Sequence, residues 1–271
     1  MKFYTFGNKE NPTIMLFPGT CCHWKTNYEA VIPYLEKDYY VVCVSYDGFD
    51  EAENSIFKDM ITETEKIEQY IMDNFNGRIH AAYGCSMGGS FVGLLAQRKV
   101  IHMEHGILGS SDLDQETGMS ARFKSWLIAQ VLHGMFKKGT LPGFFKKRLE
   151  QKEEDVKEYM EKMLVLFGVG STRMAFVSKK SICNQFYSDL VTPLEEKIAV
   201  EGTTIHVFYA LKMGEMYRER YNKHFDNPRI HEHDLQHEEL LISYPEKWAE
   251  EVKLVCFAKN KPIWNKNAQM G

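Results

Sequence analysis

The stretch AAYGCSMGGSFVG, Ala81 to Gly93, limits this chain to few folds. Gly84 and Gly88 stand two positions either side of Ser86, directly after one apolar run and directly before another. A packed core gains nothing from glycines at that spacing. A sharp strand-to-helix turn does, because side chains would collide at its tight points. Such a turn lifts a serine hydroxyl above the edge of a sheet, and the helix that follows aims backbone N–H groups at whatever the serine attacks. The alternative is a Gly/Ser-rich turn without chemistry. The flanking strand and helix patterns favour the nucleophile.

Those patterns extend along the chain. TIMLFPG (Thr13–Gly19), YYVVCVSYD (Tyr39–Asp47), IHAAYGCS (Ile79–Ser86) and HGILGSS (His105–Ser111) are short, β-rich and nearly continuous in apolar residues. Runs of this kind suit strands buried on both faces of a parallel sheet. Between them Ile56, Met60, Ile67, Ile71 and Phe75 line one side of a helix that stops at Gly77, and Phe91, Leu94 and Leu95 begin another. Strand–helix alternation predicts βαβ units and a doubly wound α/β sheet.

The rhythm changes from about Asp112 to Pro193, where no strand is predicted. Phe123, Trp126, Leu127, Val131 and Met135 form one helical stripe, closed by Lys137, Lys138 and Gly139. Val156, Tyr159, Met160, Met163, Leu164 and Phe167 form a second. Both are expected to pack inward as a helical insertion above the sheet. Alternation returns with TTIHVFYAL (Thr203–Leu211), a helix through Glu215–Phe225, RIHEHD (Arg229–Asp234) and a closing helix after Pro245.

With 271 residues and a formal charge of −4, the chain can bury a sizeable core and lacks the basic face of a nucleic-acid binder. Neither a secretory leader nor a continuous apolar membrane span is read from it. Six scattered cysteines without CxxC spacing fit a reduced, cytoplasmic protein. His231 and His233 alternate on a strand, close to Asp234 and His237, but the spacing matches no compact ligand run. No metal is therefore expected, and the strand histidines are expected in solvent.

On these motifs the chain resembles the α/β-hydrolase family over nearly its whole length. IMLFPGTCCHW is similar to the family's early core strand and oxyanion loop, with Pro18-Gly19 where His-Gly is usual. VSYDGFDE resembles the next strand end, with Asp47-Gly48 in a structural turn. The resemblance implies a mostly parallel sheet built from 1–111 and 194–271, with a helical cap, 112–193, inserted after the family's sixth strand. It implies that Ser86 is the nucleophile and that the N–H groups of Thr20 and Met87 form the oxyanion hole. The family's histidine lies in a loop ahead of the closing helix, which makes His237 the general base among ten histidines.

The acid has two candidate positions. In FYALKMGEMY, Ala210 replaces the family's glycine, Met213 takes the usual acid position and Glu215 follows two residues later. The end of the sixth strand, GSSDLD, offers Asp112 and, less directly, Asp114. Glu215 is the first choice and Asp112 the second. Cap stripes rich in Phe, Met and Trp imply a mainly apolar pocket, with His133 and the stretch NQFYSDL (Asn184–Leu190) as sources of polar contacts.

The implied activity is carboxylesterase action on a small or medium acyl ester, with a small-molecule acyl substrate and no cofactor, nucleic acid or membrane partner. Thioesterase, C–C bond hydrolase and acyltransferase chemistry use the same triad. A non-catalytic binding module on this fold predicts an inert Ser86. Nothing in the sequence fixes an oligomeric state.

Overall fold

The computed structural model describes residues 1–113 and 115–257, apart from a few cap side chains; Asp114 therefore lies outside the described residues. Seven strands form one sheet in the order β1-β3-β2-β4-β5-β6-β7. They are β1 (Lys2–Phe6), β2 (Thr13–Phe17), β3 (Tyr40–Ser45), β4 (Arg78–Gly84), β5 (His102–Leu108), β6 (Thr204–Ala210) and β7 (Arg229–His233). Only β1 runs antiparallel, pairing Lys2 with Ser45 and Phe6 with Val41 at the sheet edge. Its half-buried residues alternate too weakly to announce a strand in sequence.

The central strands bury both faces, as their unbroken apolar runs predict. Met15, Phe17, Val42 and Val44 point into one core layer, while Ile14, Leu16, Val41 and Cys43 point into the other. Helices α3 (Met60–Phe75) and α4 (Met87–Arg98) cover the first layer. The short helices α1 (Trp24–Tyr28) and α2 (Ile32–Leu35) and the closing helix α11 (Pro245–Phe257) cover the second. Helix α3 starts with Asp59 accepting the Thr62 N–H at 2.7 Å. It ends at left-handed Asn76 and Gly77. Ile56 lies before the helix and is exposed rather than on its buried stripe.

Helices α5 (Gly118–Lys138), α6 (Gly143–Glu150), α7 (Glu154–Leu166) and α8 (Lys179–Val191) run between β5 and β6. In chain order the insertion follows the fifth of the seven strands, directly ahead of TIHVFYA. The first predicted stripe holds only at its end, where Met135 is buried and Val131 half-buried. Phe123, Trp126 and Leu127 are exposed, and α5 buries Ala121, Ser125 and Ala129 instead, on the side packed against α8. Small residues four apart let two helix backbones approach closely, so the bulky side chains take the other face. The second stripe, Val156 to Phe167, is half-buried along its length, and Leu166, buried in α7, is not among its residues.

The strand histidines also depart from expectation. His105, His206 and His231 form a row across β5, β6 and β7, with ring nitrogens 3.3 Å and 3.1 Å apart. His206 is buried and the other two are half-buried. Burial, then the neighbouring imidazoles, pushes His206 down to about 3, and burial likewise lowers His105 and His231. His233 lies 3.0 Å from Glu251 of α11.

Candidate active site

Strand β4 ends at Gly84, Cys85 follows, and Ser86 turns the chain into α4 with φ 50° and ψ −117°. Few non-glycine residues adopt that conformation, which costs about 1–3 kcal/mol and persists only where surrounding contacts enforce it. The glycines are part of the enforcement. A Cβ on Gly84 would lie 2.1 Å from the Gly88 backbone, and one on Gly88 would lie 2.1 Å from the Phe17 carbonyl oxygen. Gly88 and Gly89 donate to the carbonyls of Cys85 and Ser86 at 2.7 and 2.9 Å, closing the first turn of the helix.

A second enforcing contact was invisible in sequence. Glu238, buried and itself left-handed at φ 57°, accepts the Ser86 N–H at Oε1 (2.7 Å) and the Tyr83 hydroxyl at Oε2 (3.0 Å). The Ser110 N–H donates to it as well. Burial pushes this carboxyl above its usual range, while His237 and the three donors pull it back. Gly109 leaves the room it occupies, since a Cβ there would sit 2.3 Å from Oε1. No local pattern marks a glutamate for this role. Its partners are far away along the chain.

Opposite Ser86, the β2–α1 loop is fixed from two sides. Asn27 Oδ1 accepts the Gly19 N–H at 2.9 Å, and Gln185 Oε1 of α8 accepts the Cys21 N–H at 2.6 Å. Among the described residues no acceptor takes the N–H of Thr20, which lies between them, or that of Met87 at the start of α4. The neighbouring thiols are not competing nucleophiles. Burial pushes Cys22 up to about 12 and Cys85 well above its ordinary value, leaving both as thiols at neutral pH.

His237 lies in the loop after β7, its Nδ1 3.8 Å from Asp112 Oδ1. Its main-chain oxygen accepts a 2.8 Å hydrogen bond from Tyr159 of α7, so the cap helps hold the loop. Asp112 follows β5 on a segment anchored by helix α9 (Glu215–His224). Arg220 donates to the Asp112 carbonyl at 2.8 Å, and Tyr221 donates to the Ser111 carbonyl at 2.6 Å. Glu215, first choice from sequence, stands elsewhere. Its side chain is 68% exposed, with Oε1 3.9 Å from Arg218 Nε. The helix that carries it thus positions the other candidate.

Two cavities meet at Ser86, sharing Thr20, Asp112 and Phe186 in their walls. One, of about 260 Å³, also touches His237 and is lined by Met163, Leu166 and Phe167 of the cap. The other, of about 270 Å³, is more polar, with Glu116, Lys124 and Asp189 in its wall. The expected polar contribution of the Asn184–Leu190 stretch is thus Asp189, while Phe186 supplies apolar wall to both. His133 is absent from the walls of either cavity.

No helix among the described residues is long and apolar enough to cross a membrane. No family model matches the sequence, and no curated protein matches it. Solved structures do match the fold. An alpha/beta hydrolase family protein from Desulfitobacterium hafniense superposes with a TM-score of 0.76 at 15% identity, covering 94% of this chain and 99% of the other. A lipase-esterase related protein from Clostridium acetobutylicum gives 0.65 at 17% identity, over 93% of this chain and 98% of that one. An enol-lactonase from Burkholderia xenovorans gives 0.64 at 16% identity, over 93% and 94%. The likeness extends over the sheet and the inserted helices alike: the chain has the α/β-hydrolase fold.

Proposed function

We propose that the protein is a serine hydrolase that cleaves a small or medium carboxylic ester through an acyl-enzyme on Ser86. The observation that carries this reading is the left-handed Ser86 at the strand–helix turn, sharing one cavity with His237 and Asp112. A binding module has no use for backbone strain at a serine, whereas a nucleophile does.

In this reaction the Ser86 hydroxyl attacks the substrate carbonyl carbon while His237 takes its proton, because an unassisted serine is a poor nucleophile at neutral pH. Asp112 faces Nδ1, which orients the imidazole and stabilises its protonated form. The 3.8 Å separation exceeds a hydrogen bond and is expected to shorten when substrate closes the site. The Thr20 and Met87 N–H groups receive the developing oxyanion, each contributing about 3 kcal/mol in the transition state. His237 then protonates the departing alcohol, and a water activated the same way releases the acid. Asp112 replaces Glu215 as the preferred acid on this geometry.

The cavity against Met163, Leu166 and Phe167 suits an apolar acyl chain, and the polar cavity suits the alcohol side. A lactone, the substrate type in the name of the Burkholderia enol-lactonase, would place both parts in one ring. A panel of p-nitrophenyl esters tests the reading. Turnover is expected to peak at acetate to hexanoate and to fall at least about tenfold for laurate, as a limited apolar pocket discriminates by roughly 1–3 kcal/mol. Leu166→Ala should move the optimum to longer chains. Absence of turnover on every ester and lactone tried would count against a hydrolase.

A further inference from the structure

We propose that His80, Glu104 and His105 form a binding site for a divalent transition metal, zinc being the best fit. Their donor atoms all lie within 4.8 Å of one another. The site stands at the opposite end of β4 from Ser86, about 20 Å away at a strand's ~3.3 Å per residue. It takes no part in the ester chemistry, and it does not depend on that reading.

The strands bring the three groups together by an irregularity. Neighbours such as Glu104 and His105 normally point to opposite faces. Here Ile79 packs in one core layer and Ala81, two residues on, in the other; Met103 and Ile107 are likewise split although four apart. The alternation therefore slips by one residue in both strands. Their register keeps a constant offset through the slip, with Ile79 opposite Met103 and Ala81 opposite His105. Both strands turn together, and the imidazole of His80 meets the pair on β5.

The donor set is suited to a metal. His80 Nδ1 and Glu104 Oε2 lie 2.8 Å apart, so an ion between them would take the place of the hydrogen bond that joins them. His105 has Nδ1 3.3 Å from His206, whose other nitrogen meets His231, so an outer shell already orients this imidazole. The Phe257 ring stacks on His80 at 5.5 Å and gives the site an apolar wall. Two imidazoles and one carboxylate, with a position open to water, match zinc's preference for nitrogen and oxygen donors. Tetrahedral zinc needs donors about 3.3 Å apart, from Zn–N bonds of about 2.0–2.1 Å. Glu104, with a side chain 50% exposed, is free to make that adjustment and leaves an entry path. The bound ion would tie β4 to β5 beneath the end of α11.

Equilibrium dialysis of the full chain against zinc chloride, read by elemental mass spectrometry and followed by calorimetric titration, tests this. One zinc per chain is expected. His80→Gln and Glu104→Gln should each weaken binding at least about tenfold. His133→Gln, in the cap, should leave it unchanged. Cobalt(II) should give the weak visible bands of nitrogen and oxygen ligation. Three results would overturn the site: no stoichiometric uptake, affinity unchanged in the two ligand variants, or a thiolate charge-transfer band placing the metal on cysteine. Glu104 is half-exposed, so its variant folds and gives a usable comparison even if His80→Gln does not.

Discussion

Ester turnover is expected to fall about a million-fold when Ser86 becomes alanine, and nearly as far for His237→Ala, because in the proposed mechanism the two act as one proton-transfer unit. The double variant should be no worse than either single one. Asp112→Asn keeps the shape of the side chain but removes the charge facing His237 Nδ1, and about a thousand- to ten-thousand-fold loss in kcat is expected. Glu215→Gln should change kcat less than about twofold, the usual consequence of altering an exposed ion pair. The contrast separates the two candidate acids. A large loss at Glu215 with little at Asp112 would restore the expectation formed from sequence and reject the arrangement described above.

The second large effect concerns Glu238. Replacing it with alanine would leave the Ser86 N–H, the Tyr83 hydroxyl and the Ser110 N–H buried without their acceptor. Unpaired buried donors cost about 1–3 kcal/mol each, and with the Ser86 N–H only part-buried a loss in the lower half of that sum, about 3–5 kcal/mol, is expected. For a chain of this size that lowers Tm by about 10 °C. Glu238→Gln should fall between, since its amide keeps one acceptor oxygen but turns an NH₂ group toward a donor. Both variants should also lower kcat more than they raise KM, because Ser86 would relax from its strained turn while the cavity walls stay in place. A melting temperature within about 2 °C of wild type for Glu238→Ala would show that the carboxylate supports neither the elbow nor the fold.

What sequence conveyed and what it withheld divide along chain separation. The elbow was legible because its requirement is local: two glycines, a serine, a strand before and a helix after. The parallel strands were legible for the same reason, since burial on both faces leaves unbroken apolar runs such as Ile14–Phe17 and Tyr40–Val44. The acid was not, because the nearness of Asp112 to His237 depends on Arg220 and Tyr221 gripping its loop from a helix more than a hundred residues away. Glu238 was missed on similar grounds, its partners lying 152 and 155 residues back in the chain.

The outward turn of Phe123, Trp126 and Leu127 has a different cause. A hydrophobic stripe shows that a helix is amphipathic, but the closeness of its neighbour decides which stripe is buried. Ala121, Ser125 and Ala129 permit the closer approach to α8. The histidine row was hidden by the sheet order, which sets β5, β6 and β7 side by side although some hundred residues separate the first two.

The most direct test of the central claim is intact-mass measurement after treatment with a fluorophosphonate, which reacts only with a serine made nucleophilic by its surroundings. Wild-type protein should gain a single adduct, and Ser86→Ala should gain none. A folded wild-type chain that stays unmodified, by a small probe as well as a bulky one, would contradict an activated Ser86.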